Sequence, residues 1–79
     1  MSKFFFHLNN SHGWTPDEEG QEMDGAASAM EQAFAEVRGL IAADVLNVQP
    51  IKLSSYVAVH GEGDKEIGRV RYDEAVSFE

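Results

Sequence analysis

The stretch Asp24-Gly25-Ala26-Ala27-Ser28-Ala29-Met30-Glu31-Gln32-Ala33-Phe34-Ala35-Glu36-Val37-Arg38-Gly39-Leu40-Ile41-Ala42-Ala43-Asp44-Val45-Leu46 decides the fold. Met30, Phe34, Val37, Ile41 and Val45 recur at intervals of four, three, four and four, the spacing of one face of an α-helix. Ala26, Ala33 and Leu40 widen that stripe, while Gln32, Glu36, Gly39 and Ala43 are expected on the solvent side. A helix over this stretch runs about 35 Å. Asp24 is the expected N-cap, because its carboxylate can accept from the unpaired N–H groups of the first turn. Ser28 with Glu31 offers a capping box as a second start. Pro50 closes the helical region, with Asn47 expected to supply the left-handed turn before it. Gly39 is out of place in a helix interior, where it costs about 1 kcal/mol against alanine. It reads either as a tolerated surface glycine or as the point where a second helix approaches across Gly39 and Ala43, as in a dimer.

Outward from the helix, both flanks read as strands. Lys3 to Asn9 alternates, with Phe4, Phe6 and Leu8 on one face and Phe5 and His7 on the other. Asn9-Asn10-Ser11-His12-Gly13 is a run of turn formers, after which Trp14-Thr15-Pro16 resumes an extended edge strand. Asp17-Glu18-Glu19-Gly20 is a compact acidic turn in which Gly20 can take a positive φ, and Gln21 to Met23 leads into the helix. Past Pro50, Lys52 to His60 alternates: Leu53, Val57 and Val59 share one face, Ser54, Tyr56, Ala58 and His60 the other. Gly61-Glu62-Gly63-Asp64-Lys65 is a hairpin turn longer than two residues. Glu66 to Tyr72 returns, with Val70 and Tyr72 on one side and Ile67, Arg69 and Arg71 on the other. Asp73-Glu74-Ala75 breaks the pattern, and Val76 and Phe78 are expected to extend or cover the edge.

The expected fold is α+β, in the order β-β-α-β-β: a four-stranded, mostly antiparallel sheet with one long helix packed on one face. The expected strand order is 2-1-3-4, which makes the crossover through the helix a split βαβ unit.

Bulk properties narrow the function classes. Seventy-nine residues make one small domain with a modest core. The absence of cysteine excludes disulfides and cysteine-based zinc sites and fits a reducing, cytoplasmic setting. No apolar run is long enough for a membrane span, and the N-terminal run reads as a strand, not a signal peptide. A net charge of −8 argues against nucleic-acid or anionic-membrane partners and allows a basic protein partner.

The aromatic first strand Phe4-Phe5-Phe6-His7-Leu8, the turn Asp17-Glu18-Glu19-Gly20, the alanine-rich helix and the closing hairpin with its Gly/Asp turn together resemble a family of short bacterial proteins classed as a domain of unknown function. The resemblance covers nearly the whole chain, and the Asp-Glu-Glu-Gly turn is its most specific piece. The chain departs from the pattern at Gly61-Glu62-Gly63-Asp64, where a more acidic, single-glycine turn is expected. The resemblance implies a stand-alone cytoplasmic domain and carries no activity, cofactor or catalytic residue.

Motifs for chemistry are sparse. Asp17, Glu18, Glu19, Glu22 and Asp24 lack the alternating Asp/Asn pattern of a calcium loop and read as a solvated turn or a partner contact. His7, His12 and His60 show no i, i+4 pairing with one another and read as ordinary histidines, so no metal or cofactor is expected. No serine lies in a nucleophile elbow, and Gly61-x-Gly63 is followed by a strand, not by a phosphate-binding helix. An enzyme is therefore not expected. The sheet face away from the helix is the more telling surface: Phe5, His7, Tyr56, His60, Ile67, Arg69 and Arg71 mix aromatics with arginine, as interface cores do. Asp17, Glu18 and Glu19 add an acidic candidate surface. The favoured expectation is a non-enzymatic interaction domain that docks a protein partner or a second copy, as a homodimer, through this face. The alternatives are an acidic, antitoxin-like regulator of a basic protein and a small-ligand or metal-binding protein.

Overall fold

A computed structural model describes residues 1–76. The chain runs β1 (Ser2–Asn10), β2 (Gly13–Thr15), β3 (Gln21–Met23), α1 (Ala26–Leu46), β4 (Tyr56–His60), β5 (Glu66–Arg71) and α2 (Tyr72–Ala75), with a 3-10 turn at Glu62–Asp64 between β4 and β5. The sheet order is β2-β1-β4-β5, all neighbours antiparallel, and β3 also pairs with β1. The fold is α+β, as the alternating pattern predicts, with five strands where four are expected. The extra one arises because the edge strand is broken. β2 pairs with the end of β1 (Leu8↔Thr15) and β3 with its start (Phe4↔Gln21), and Pro16 to Gly20 bulges out between them. Proline has no N–H to give the ladder, so the break falls there. β3 and β4 are both antiparallel to β1 and are joined by α1, the split crossover expected.

The 21-residue α1 lies on the face formed by Phe4, Phe6, Leu8, Val57, Val59 and Val70. Its rotation differs from the expected stripe. The line fully buried against the sheet is Ala29, Ala33 and Val37, while Met30, Phe34, Leu40 and Ile41 pack at its sides. Val45, the last member of the expected stripe, is mostly exposed. Small residues on the central line let the helix axis approach the strands closely, and the bulkier chains fill the flanks. Val37, Val57, Val59 and Val70 are fully buried, each stabilising the fold by about 1.5–3 kcal/mol relative to exposure. Gly39 is exposed, on the solvent side as expected. It borders a shallow apolar cleft with Phe6, Leu8, Leu40 and Val57, and no atom comes within 4 Å of where its side chain would begin.

Both helix ends differ from expectation. The N-cap is Gly25, in extended backbone and with no side-chain hydrogen bond, so Asp24 does not cap, and Ser28 and Glu31 fall inside the helix. At the other end Asn47 is the C-cap with φ −94°, and the left-handed position falls on Val48 at φ +53°. A β-branched residue pays a steric penalty in that region because Cβ crowds the carbonyl oxygen. Val48→Gly is therefore expected to stabilise the fold by about 1 kcal/mol and to raise the Tm by about 5 °C. A Tm that holds or falls in thermal denaturation would mean that the side chain makes contacts which its 89 % exposure denies.

β4 begins at Tyr56, not Lys52. The preceding residues form a turn closed by the Ser55 N–H donating to the Lys52 carbonyl (2.9 Å), which leaves Leu53 half exposed instead of in the core row. Asp73-Glu74-Ala75 breaks the strand by forming α2, whose start is fixed by the Arg71 N–H donating to Glu74 Oε1 (3.0 Å). Tyr72 and Ala75 turn into the core. Val76 is the C-cap of α2, and the expected role of Phe78 lies outside the described residues.

Candidate functional site: the open face of the sheet

The strand alternation that sends Phe4, Phe6 and Leu8 under α1 sends Phe5, His7 and Asn9 to the other face. β4 does the same with Tyr56, Ala58 and His60, and the β1–β4 register sets Phe5 opposite His60 and His7 opposite Ala58. His7 is the centre of this face and is 8 % exposed. Its ring lies parallel to that of Phe5 at 6.3 Å, 5.4 Å from the Trp14 ring and edge-on to His60 at 4.5 Å. Trp14, opposite Asn9 in the β1–β2 register, is the member the sequence reading missed; a three-residue strand is too short for alternation to assign its face.

Asp17 fixes the loop above this cluster. Its carboxylate accepts from the N–H groups of Phe6 (3.1 Å), Gly20 (3.1 Å) and Glu19 (3.2 Å). The Phe6 N–H points toward the broken edge, so Asp17 fills the gap left in the ladder. In return the Asp17 N–H donates to His7 Nδ1 (2.9 Å). Partial burial works against the charged carboxylate, but the three N–H donors outweigh it and hold the group below the usual aspartate range. On the opposite rim, the hairpin turn brings Asp64 Oδ1 to 2.9 Å from His60 Nδ1 and 3.9 Å from His7 Nε2. Asp64, four residues beyond His60 and in the left-handed region at φ +58°, is also absent from the sequence expectation. Its position depends on the shape of the 3-10 turn, which spacing does not reveal.

Between the two rims runs an open groove of about 580 Å³ lined by Phe5, His7, Asp17, Glu18, Gly63 and Asp64. It joins two sets of residues that the sequence presents separately, the aromatic face and the acidic turn.

The remaining expected site residues lie apart from the groove. Arg69 stacks over Tyr56, 4.1 Å from the ring centre, and makes a two-pronged ion pair with Glu66 (2.9 and 2.8 Å). The hydrogen bond from Arg69 holds the Glu66 carboxyl below its ordinary range. Tyr56 also accepts from Asn9 Nδ2 (3.1 Å). Arg71 pairs in the same way with Asp73 (3.0 and 2.8 Å). Both guanidinium groups are thus engaged within the chain. Ile67 stands by the bulge that shifts the β4–β5 register, where a methyl on Gly61 would lie 3.6 Å from its Cγ2 and 3.8 Å from Phe4 Cε1. Glu19 is exposed, and its backbone rather than its side chain serves the loop.

His7, His60 and Asp64 present ligand atoms within 4.8 Å of one another, a spacing a metal ion would accept. The hydrogen bonds oppose it. His7 Nδ1 accepts a hydrogen bond from the Asp17 N–H, so in a neutral ring Nε2 carries the hydrogen and has no lone pair to give. His60 Nδ1 faces a carboxylate and must carry the hydrogen there. His7 would have to exchange its tautomer and give up its bond to Asp17, and a metal at His60 Nδ1 would displace the hydrogen bond to Asp64.

Residues 3–73 match the family model described as a domain of unknown function, DUF6894. The chain belongs to this family. The match takes in the described strands except Ser2 of β1, the long helix and all residues of the groove. No curated protein and no solved structure matches the chain. Among the described residues, no helix of this DUF6894 chain is long and apolar enough to cross a membrane.

Proposed function

We propose that the protein is a non-enzymatic interaction domain that holds a basic segment of a protein partner in the groove between the Asp17–Gly20 loop and the Gly61–Lys65 turn. The observation that carries this reading is the groove itself, with aromatic rings on its floor and carboxylates on both rims. Asp17 is fully used by its loop, but Glu18 is exposed and the Asp64 side chain is 81 % exposed, so both can meet an incoming lysine or arginine. The Phe5 ring offers a face to the same cation. The net charge of −8 favours encounter with a basic segment. The internal pairing of Arg69 and Arg71 supports the same preference, since neither guanidinium is free to recruit an acidic partner.

Trp14 is the one tryptophan of the chain and touches the His7 ring, so its fluorescence reports on the groove. A short peptide rich in lysine and arginine is expected to change that emission saturably at low salt and to weaken as salt rises. Combining Glu18→Gln with Asp64→Asn removes two exposed charge contacts and should weaken binding about tenfold. Binding that ignores both the salt and the double substitution would overturn the reading, as would the absence of binding at low salt.

A further inference from the structure

The two histidines on the open face hold their protons in opposite ways. The rings of His7 and His60 meet edge to face at 4.5 Å. His60 Nδ1 lies 2.9 Å from Asp64 Oδ1 and gives its hydrogen to that carboxylate. Its other nitrogen, Nε2, stands 3.8 Å from Glu66 Oε1. A second proton on His60 therefore lands beside a carboxylate and breaks none of its bonds.

His7 is arranged the other way round. Its Nδ1 accepts from the Asp17 N–H at 2.9 Å, so its hydrogen is on Nε2, which stands 3.9 Å from Asp64 Oδ1. The second proton of an imidazole goes to the nitrogen that still has a lone pair, and in His7 the Asp17 N–H uses that lone pair. Once the proton arrives, two N–H groups face each other at hydrogen-bond distance. The ring has little room to turn aside, because it is buried and packs on Trp14 at 5.4 Å as well as on His60. The loop is the part that yields. Among the described residues two hydrogen bonds tie it to β1, from the Asp17 N–H to His7 and from the Phe6 N–H to Asp17 Oδ2 at 3.1 Å. The bonds that Asp17 accepts from Glu19 and Gly20 lie within the loop itself.

We propose that His7 is a proton-operated latch on the groove: a proton entering at Nδ1 breaks the bond from the Asp17 N–H and leaves the loop hanging from the Phe6 N–H alone. Its outcome for binding rests on the proposed function, because Glu18 rides on this loop and the new charge lies among the groove's lining residues. Both changes act against a basic segment, so the site holds it at neutral pH and lets it go in mild acid, where histidine ordinarily titrates. The charged and titratable groups facing His7 are Asp17 from the loop, Asp64 from the hairpin turn and His60 from β4; its other ring neighbours, Trp14 of β2 and Phe5 of its own strand, carry no charge. Glu66 of β5 faces His60 in turn. Carboxylates ordinarily titrate at about pH 4, below this window, so the histidines carry the change.

The latch is read in the free protein, by following the His7 ring nitrogens and the Asp17 amide in NMR spectra of the full chain from about pH 8 to about pH 5. At the upper end His7 Nδ1 is expected as the bare acceptor and Nε2 as the protonated nitrogen. As Nδ1 takes up its proton, the Asp17 amide signal should move with the same midpoint toward the position of an amide bonded to water. His60→Asn removes the neighbouring titration and keeps an N–H for Asp64, and the Asp17 shift should survive it. The proposal is overturned if Nδ1 is already the protonated nitrogen at the upper end, if His7 takes no proton by about pH 5, or if the Asp17 amide holds still while His7 titrates. None of these three outcomes needs a variant. It is also overturned if the shift vanishes in a folded His60→Asn protein. A peptide rich in lysine and arginine then tests the consequence, and its affinity should fall about tenfold between about pH 7.5 and about pH 5.5. No binding at the higher pH defeats the reading of the groove and leaves the latch to be judged on the amide titration. Binding that holds at the lower pH, although the Asp17 amide has moved, overturns the control of the groove by the latch.

Discussion

Gly20→Ala is expected to cost about 3 kcal/mol of folding stability, a large share of the roughly 5–15 kcal/mol that a small domain has. Two effects add. Gly20 has φ +72°, where a side chain costs about 1–2 kcal/mol. The new Cβ would also lie 2.9 Å from the Phe4 carbonyl oxygen, 2.9 Å from Phe5 Cε2 and 3.0 Å from Lys3 Cγ. The lysine stem can swing away, but the Phe4 oxygen is part of β1 and cannot yield without disturbing the edge ladder. Gly13→Ala supplies the comparison. Gly13 has φ +105° with nothing within 4 Å, so it carries the backbone penalty without the collision. Urea denaturation should show Gly20→Ala losing clearly more stability than Gly13→Ala. Equal losses would mean that the Asp17–Gly20 loop moves freely off β1.

The second large effect is expected from Asp17→Asn, with a loss of about 2–3 kcal/mol near neutral pH. An asparagine keeps one acceptor, but its amide would point an N–H at one of the three backbone donors that the carboxylate now satisfies. The loss should depend on pH in a definite sense. The Asp17 pKa is lower in the folded chain than its ordinary value of 3.8. Its contribution is therefore fully present above that value and disappears as the pH falls through the lower, folded one. The wild-type and Asp17→Asn stabilities should differ most at neutral pH and converge in strong acid. Glu66 and Asp73, also held below their ordinary values, leave the variant a residual acid dependence. A gap that persists undiminished at low pH would exclude the charge as the source of the effect.

How much of this was legible in the chain follows from the range of each interaction. Alternation is local, so Phe4-Phe5-Phe6-His7-Leu8 and Tyr56 to His60 disclose their two faces; the order of the sheet is not in the alternation and was expected only from the preference for a split crossover. Gly20 announced its positive φ because a Glu-Gly turn has few other uses. The expected stripe of α1 includes Ala33 and Val37 of the buried line but not Ala29, because hydrophobicity favours Met30, Phe34 and Val45, whereas distance to the sheet favours Ala29; alanine looks neutral until a neighbouring strand is present. The Asp17 carboxylate was read as solvated because its partner, the Phe6 N–H, lies eleven residues away on another strand. The groove was invisible for the same reason. Its aromatic floor and its acidic rim come from separate stretches, and only the pairing of β1 with β4, together with the hairpin turn that follows, brings Asp64 across from Glu18.

The break between β2 and β3 also limits how copies of this chain can combine. A sheet with two open, regular edges can recruit neighbours on both sides and grow into a fibre. Here the outer edge of β2 and β3 is two three-residue pieces separated by a protruding acidic loop, which offers an incoming strand no continuous register. That leaves β5, bulged at Ile67 but unbroken, as the one continuous edge among the described residues. Strand-to-strand association through β5 uses up that edge in both molecules at once, so it ends at two copies related by a twofold axis. The looped-out segment thereby denies an incoming strand a continuous edge beside the three consecutive phenylalanines of β1.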